Sequence, residues 1–349
     1  MNSMHRGLTV GRTGVAARAQ PGVPCWLGAL LLLFAADMSR AEPDVVRLQY
    51  DWPAGMVLQA EVTLENRRES ADGATTSALR GGYTLTTEAV DDGLRVRPGE
   101  PEVYREDLPA EPDSAVRLLL SRLTLLSPDY VVDELGALVR IEDFEPFRER
   151  AAAELGDWHR DRLPQQQAQL QRVLDHALFE SRVRTRAEQA WKRDVGQWVG
   201  AGFERGVVYT MDFRVPVPMA ANVPVPASGE YEFLGRVPCH DGRETRQCVR
   251  LRHAFAVERT ATTAIISRIF ETVGTPLPGD FGLTMDYQIE VITEERTLIP
   301  HFVKETRIMT LFPGREAVPV REVRFRRIVY TRKDPADSAL PPPGAVTEH

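Results

Sequence analysis

The apolar positions of this chain change period twice. Between Val45 and Ile141 they mostly alternate. In "MVLQAEVTLE", Met56, Leu58, Ala60, Val62 and Leu64 fall on one side of an extended strand. "YTLTTEAV" and "GLRVR" continue the pattern, and Asp92-Gly93 between them reads as a turn. One helix interrupts this zone: "SAVRLLLSRLTLLS" has Ser114 as N-cap and Pro128 just past its end. From Phe144 to about Gly200 the period becomes helical. Residues 157–198 hold good helix formers, a single proline (Pro164) and few β-branched residues. Leu170, Leu174, Ala177 and Leu178 recur at helical spacing with Val173 beside them, which predicts amphipathic helices packed on a sheet. From Val207 to Thr331 alternation returns. "VVYTMDFRVPV", "GEYEFLGRVP", "CVRLRHAFAVE", "TTAIISRIFETV", "LTMDYQIEVI", "VKETRIMTLF" and "VREVRFRRIVY" are rich in β-branched and aromatic residues, with turn residues between them. Successive strands of this kind pair antiparallel.

These zones predict an α+β protein of two antiparallel curved sheets or open half-barrels with a helical segment between them. The boundaries are a β-rich unit over 42–142, the helical segment over 143–205, an antiparallel β unit over 206–333, and a Pro-rich, disordered tail over 334–349. "GMVLQAEVTL" (Gly55 to Leu64) and "GVVYTMDFRV" (Gly206 to Val215) agree in class at all ten positions, the pattern an internal duplication leaves. The stretch "SPDYVVDELGALVRIEDFEPF" runs through a strand, a turn centred on Gly136, "ALVRI", and a helix opening on an aromatic. It resembles uncharacterised exported bacterial β-rich proteins, whose layout is loosely similar to the periplasmic lipoprotein-carrier fold. The resemblance covers the layout of most of the mature chain, rests on that one short motif, and implies no catalytic or binding residues.

The first 41 residues change the picture from a cytosolic to an exported chain. Residues 1–24 carry Arg6, Arg12 and Arg18 and no acid, "CWLGALLLLFAA" (Cys25 to Ala36) is uninterrupted and apolar, and "SRA" ends at Ala41. That is a signal peptide cleaved after Ala41, and it predicts an exported, periplasmic protein. The apolar run is too short to span a bilayer. Cys25 precedes the leucines, unlike an acylated lipoprotein cysteine, and leaves with the leader. With 43 Lys and Arg against 50 Asp and Glu, the net charge is −7, and it is more negative once the basic leader is gone. Nucleic acid is thereby excluded as a partner.

Candidate chemistry is sparse. The mature chain keeps Cys239 and Cys248, in "VPCHDGRETRQC". An even pair in an oxidising compartment predicts one disulfide, with the two cysteines facing each other across a hairpin. A zinc site needs about four ligands and the local sequence adds only His240, and no Cys-x-x-Cys signals redox catalysis, so no metal and no cofactor are expected. Asp157, His159 and Asp161 in "GDWHRDR" are suitable ligand types for a metal-dependent hydrolase. On a helix 159 faces away from the other two, and the plainer reading is a solvated helix start capped by Asp157. His176, His253 and His301 are isolated, and Glu142, Asp143 and Glu145 read as helix-start residues. No nucleophile elbow, P-loop, dinucleotide fingerprint or His-Glu-x-x-His is present. One charge feature stands out in an acidic chain: from Phe302 to Lys333 there are nine Lys or Arg against three Glu. Arg324 and Arg326 share one strand face, and Arg321 and Arg327 share the other. The expectation is a non-enzymatic envelope protein that binds a lipophilic or anionic envelope ligand, with Arg321, Arg324, Arg326 and Arg327 as anion contacts. The alternatives are a scaffold meeting another envelope protein, and the hydrolase.

Overall fold

The computed structural model describes residues 44–107, 121–162, 171, 175, 177–216, 224–239, 246–272, 281–314 and 318–333. The leader, Ser114, Leu170, Val173, Leu174, His176, His240 and the tail from Asp334 lie outside them. The architecture is α+β, dominated by a single 12-stranded antiparallel sheet that does not close into a barrel.

The chain lays down one side of the sheet first, as β2 (Val57–Ser70), β3 (Gly73–Val90), β4 (Gly93–Pro98), β5 (Glu102–Asp107), β6 (Tyr130–Val132) and β7 (Leu138–Ile141). It then crosses the sheet through α1 (Phe144–Arg162), α2 (Glu180–Trp191) and a π-helical turn, Lys192–Gly196. The short strand β8 (Gly202–Glu204) pairs with β1 (Val45–Arg47) as a separate two-stranded sheet. The other side is a meander of β9 (Val208–Pro216), β10 (Pro224–Pro238), β11 (Gln247–Val257), β12 (Gly282–Thr293), β13 (Pro300–Phe312) and β14 (Val320–Lys333), with α3 (Arg259–Thr272) between β11 and β12. β14 pairs with β2 from Arg321↔Glu69 to Lys333↔Val57, so the two β units become one sheet with β7 and β9 at its ends. The aligned Gly55 and Gly206 share φ +75° and each precedes its strand by two residues, yet β2 is central and β9 is an edge.

Burial along the long strands shows where the cover lies. On β2 the inward residues Leu58, Ala60, Val62 and Leu64 are buried, but Asn66 on the same face is not. On β14 Ile328 and Tyr330 are buried, and Arg326 and Arg324 are not. One half of the inner face is therefore roofed by packed aromatics and the other runs out from beneath the roof. Trp191, Val195 and Trp198 supply the roof at helical spacing, joined by Val46, Leu48 and Trp52. Trp191 packs edge-on against Trp52, with centroids 5.1 Å apart, and its indole donates to the Gly136 carbonyl at 2.9 Å. A second, smaller core of Val225, Ala227, Val257, Ile266, Leu283 and Met285 lies at the far end of the same face, where α3 crosses.

Two local readings are corrected. "TTAIISRIFETV" is α3, not a strand. Its β-branched residues favour extension in isolation, but helical spacing buries Thr262 and Ile266 together, and the Thr262 hydroxyl bridges the Leu283 carbonyl and N–H. "GDWHRDR" lies in the C-terminal half of α1 instead of opening a helix, so Asp157 is not a cap.

Candidate functional site

A recess of about 180 Å³ opens on the inner face where the roof ends. Its floor is Leu64 and Asn66 from β2, Arg324 and Arg326 from β14, and Glu305 and Arg307 from β13; Ser121, Thr124 and Arg193 form its rim. The alternation of each strand places these side chains. Arg324 is the cross-strand partner of Asn66 and of Arg307, and Arg326 is that of Leu64 and of Glu305. The π-helical turn delivers Arg193 and Asp194 from above, both side chains 11% exposed. Arg193 holds Asp194 with two bonds, Nε to Oδ1 at 2.6 Å and Nη2 to Oδ2 at 3.0 Å, and reaches Glu305 at 3.3 Å. Burial alone would depress the Arg193 pKa, but the two carboxylates outweigh it and hold the guanidinium well above its ordinary value. Tyr330 closes the back of the network with its hydroxyl 3.3 Å from Asp194 Oδ2.

Those two carboxylates are committed to Arg193, and Arg324 is paired to Glu322 at 2.6 Å. Arg307 and Arg326 are left over. Neither makes a hydrogen bond or ion pair with any described residue, and Arg326 Nε is buried with no acceptor. Burial and the neighbouring Arg324 push the Arg307 pKa down, and the nearby Glu305 and Glu322 offset this only in part. Buried charges in folded proteins are ordinarily paired, so an arrangement of this kind can accept an anion from outside.

Of the four arginines singled out from the sequence, Arg324 and Arg326 line the recess. Arg321 and Arg327 lie on the outer face. Arg321 pairs with Glu69 at 3.2 Å, and the Arg327 guanidinium stands 5.7 Å from the Phe302 ring centroid. Arg193 and Arg307 were not singled out. Their signal was present: Arg307 and Glu305 interrupt the inward alternation of Val303, Met309 and Leu311, and Arg193-Asp194 sits inside the Trp191, Val195, Trp198 spacing.

Cys239 and Cys248 are joined as a disulfide with Cα atoms 5.1 Å apart. The register is diagonal: Cys248 lies opposite Val237, and Cys239 hydrogen-bonds through its N–H to Arg246, so the two cysteines are not directly opposed. His301 of β13 joins them, with donor atoms of all three residues within 4.8 Å of one another. The local sequence offers only His240 as a neighbour; His301 comes from a strand two places away from β11 in the sheet. With the sulfurs bonded to each other the imidazole is the one free donor of the three, and its Nε2 is 3.2 Å from Glu294. Burial raises the Glu294 carboxyl, but His301, Thr297 and Arg246 reverse this and hold it at about 2.

Other spaces differ in character. Beneath the roof, Trp52, Tyr83, Tyr130, Trp191 and Tyr330 leave only about 60 Å³, far below the roughly 300–1,000 Å³ of an ordinary ligand pocket. A hollow of about 590 Å³ between α1 and α2 is lined by Phe144, Leu178 and Phe179 with Glu145, Arg148 and Arg184.

No family model and no curated protein matches the chain. Among solved structures, a lipovitellin chain described under "lipid–protein interactions in lipovitellin" aligns with 9% identity and TM-score 0.37. The alignment covers 80% of this chain, which spans only 25% of the lipovitellin chain. An outer membrane channel from Pseudomonas putida F1 aligns with 7% identity and TM-score 0.17, covering 80% of this chain and 97% of that one. Both are β-rich, and neither likeness is close enough to carry a functional argument.

Proposed function

We propose that the chain is an exported, non-catalytic binding protein of the cell envelope that takes an anionic group of its ligand into the recess lined by Arg193, Arg307, Arg324 and Arg326. One observation carries this reading: among the described residues, Arg307 and Arg326 stand at a concave site with no carboxylate hydrogen-bonded or ion-paired to either. The size fits a small group. A cavity of about 150 Å³ admits a benzene-sized guest, so 180 Å³ suits a phosphate- or carboxylate-sized head. The basic leader followed by an apolar run, and the Cys239–Cys248 bridge, support export.

The experiment is thermal unfolding of the mature protein in inorganic phosphate, with chloride at equal ionic strength as control. A ligand at about a hundred times its Kd stabilises by about 2.7 kcal/mol, which shifts the midpoint by several degrees. Phosphate should raise the midpoint, and Arg326→Met should remove the rise. Equal midpoints in phosphate and chloride would rule the recess out as an anion site.

A further inference from the structure

The register gives the recess a direction. Asn66, Arg324, Arg307, Tyr287 and Phe255 stand side by side in one row on the inner face, one from each of β2, β14, β13, β12 and β11. Gly229 of β10 continues the row. Read across the strands, the row is an amide, two guanidinium groups, then two aromatic rings. The Tyr287 and Phe255 rings stack with centroids 4.7 Å apart, and both are only half-buried. At Gly229 a Cβ would come within 2.5 Å of the Phe213 ring, so the missing side chain is what lets that ring close the aromatic end. The adjacent row repeats the polarity, with Arg68 and Glu322 on the β2–β14 side and Met309, Met285 and Val257 on the other. With strands spaced about 4.8 Å apart, Arg324 and Phe255 are separated by about 14 Å.

We infer that the ligand is an anionic amphiphile with an oxyanion head and one alkyl chain. The head sits among Arg307, Arg324 and Arg326, and the chain lies across the strands over Tyr287 and Phe255. This rests on the anion-binding reading above and adds the ligand class and its orientation. A free inorganic anion would satisfy the arginines and leave the half-buried rings in water; a neutral lipid would cover the rings and leave Arg307 and Arg326 without a partner among the described residues. An amphiphile does both, because the two features are neighbours in one row.

The test compares inorganic phosphate, dodecyl phosphate below its aggregation concentration, and dodecyl maltoside, each titrated into the full mature chain. Dodecyl phosphate should bind at least tenfold tighter than phosphate, and the neutral maltoside should bind at least tenfold more weakly than dodecyl phosphate. Arg324→Ala, at an exposed position, should weaken both phosphates, and Phe255→Ala should cancel only the gain from the alkyl chain. A dodecyl phosphate with a photoreactive chain end should label β11 or β12 in the unaltered protein, a readout that does not depend on how the Phe255 variant folds. Equal affinity for the two phosphates, both weakened by Arg324→Ala, would leave the anion site standing and sink the amphiphile. Labelling of α1, α2 or the outer face would do the same. Binding of neither phosphate removes the anion reading and this inference with it.

Discussion

Arg307 on β13 is the direct cross-strand neighbour of Arg324 on β14. Like charges placed opposite each other in a sheet are destabilising, and here the inner of the two is also largely withdrawn from water. On the anion-binding proposal, a position that costs stability and makes no described hydrogen bond or ion pair is kept for the ligand it holds. Arg307→Leu should therefore stabilise the fold by about 1 kcal/mol while lowering phosphate affinity at least tenfold. Urea midpoints and titration calorimetry read the two effects separately. Loss of stability together with unchanged affinity would mean that Arg307 is structural.

His253 makes a pH window. Its ring is 6% exposed and stacked on Tyr231 with centroids 4.1 Å apart, and neither nitrogen has a partner. Burial, with Lys192 adding repulsion, lowers its pKa from 6.5 to about 4. Between these values the unfolded chain binds a proton that the folded chain does not. Stability from this site is complete above the unfolded value and falls as pH drops towards 4, by roughly 3 kcal/mol in all. His253→Phe keeps the stack and removes the titration. Its stability should decline less than that of the parent between about pH 7 and about pH 4.5, and parallel declines would contradict the assignment.

How far the chain could be read in advance follows from the range of each interaction. The alternation of Leu58, Ala60, Val62 and Leu64 is local, and it reports the inner face correctly. So does the parity that sets Arg324 and Arg326 apart from Arg321 and Arg327. The union of the two β units was not legible, since it rests on β14 finding β2, with Arg321 and Glu69 252 residues apart in sequence. His301 reaches the cysteines for the same reason, through strand neighbours and not through spacing. α3 was misread because its β-branched residues argue for extension until the packing of Thr262 on Leu283 is known. Arg193 looked like one charge among many on a helical segment. Only the π-helical turn after Trp191 shows that it points inward.

The Cys239–Cys248 bridge closes a ten-residue loop at the end of β10 and β11. Chain-entropy reasoning assigns such a loop about 2.5 to 3 kcal/mol. Reduction, or Cys239→Ser with Cys248→Ser, should lower the unfolding free energy by about that amount and leave phosphate binding unchanged, because the bridge lies outside the recess. Mass mapping without reductant should recover the joined peptides. Two free thiols in periplasmically purified protein would contradict both the bridge and export.

Arg193 ties the roof to the sheet, and its removal should show that the carboxylates around it depend on it. Arg193→Met leaves Asp194 and Glu305 without their cation in a site from which water is largely excluded. Breaking a buried pair from one side costs about 3 to 5 kcal/mol. Replacing the whole set, Arg193→Met with Asp194→Leu and Glu305→Gln, should recover much of that loss, since neither carboxylate of the set is then left without its cation. Recovery in urea unfolding without recovery of phosphate affinity is the expected pattern, because Arg193 also lines the recess. A triple variant as unstable as Arg193→Met would show instead that the guanidinium acts through packing and that the ion pairs contribute little.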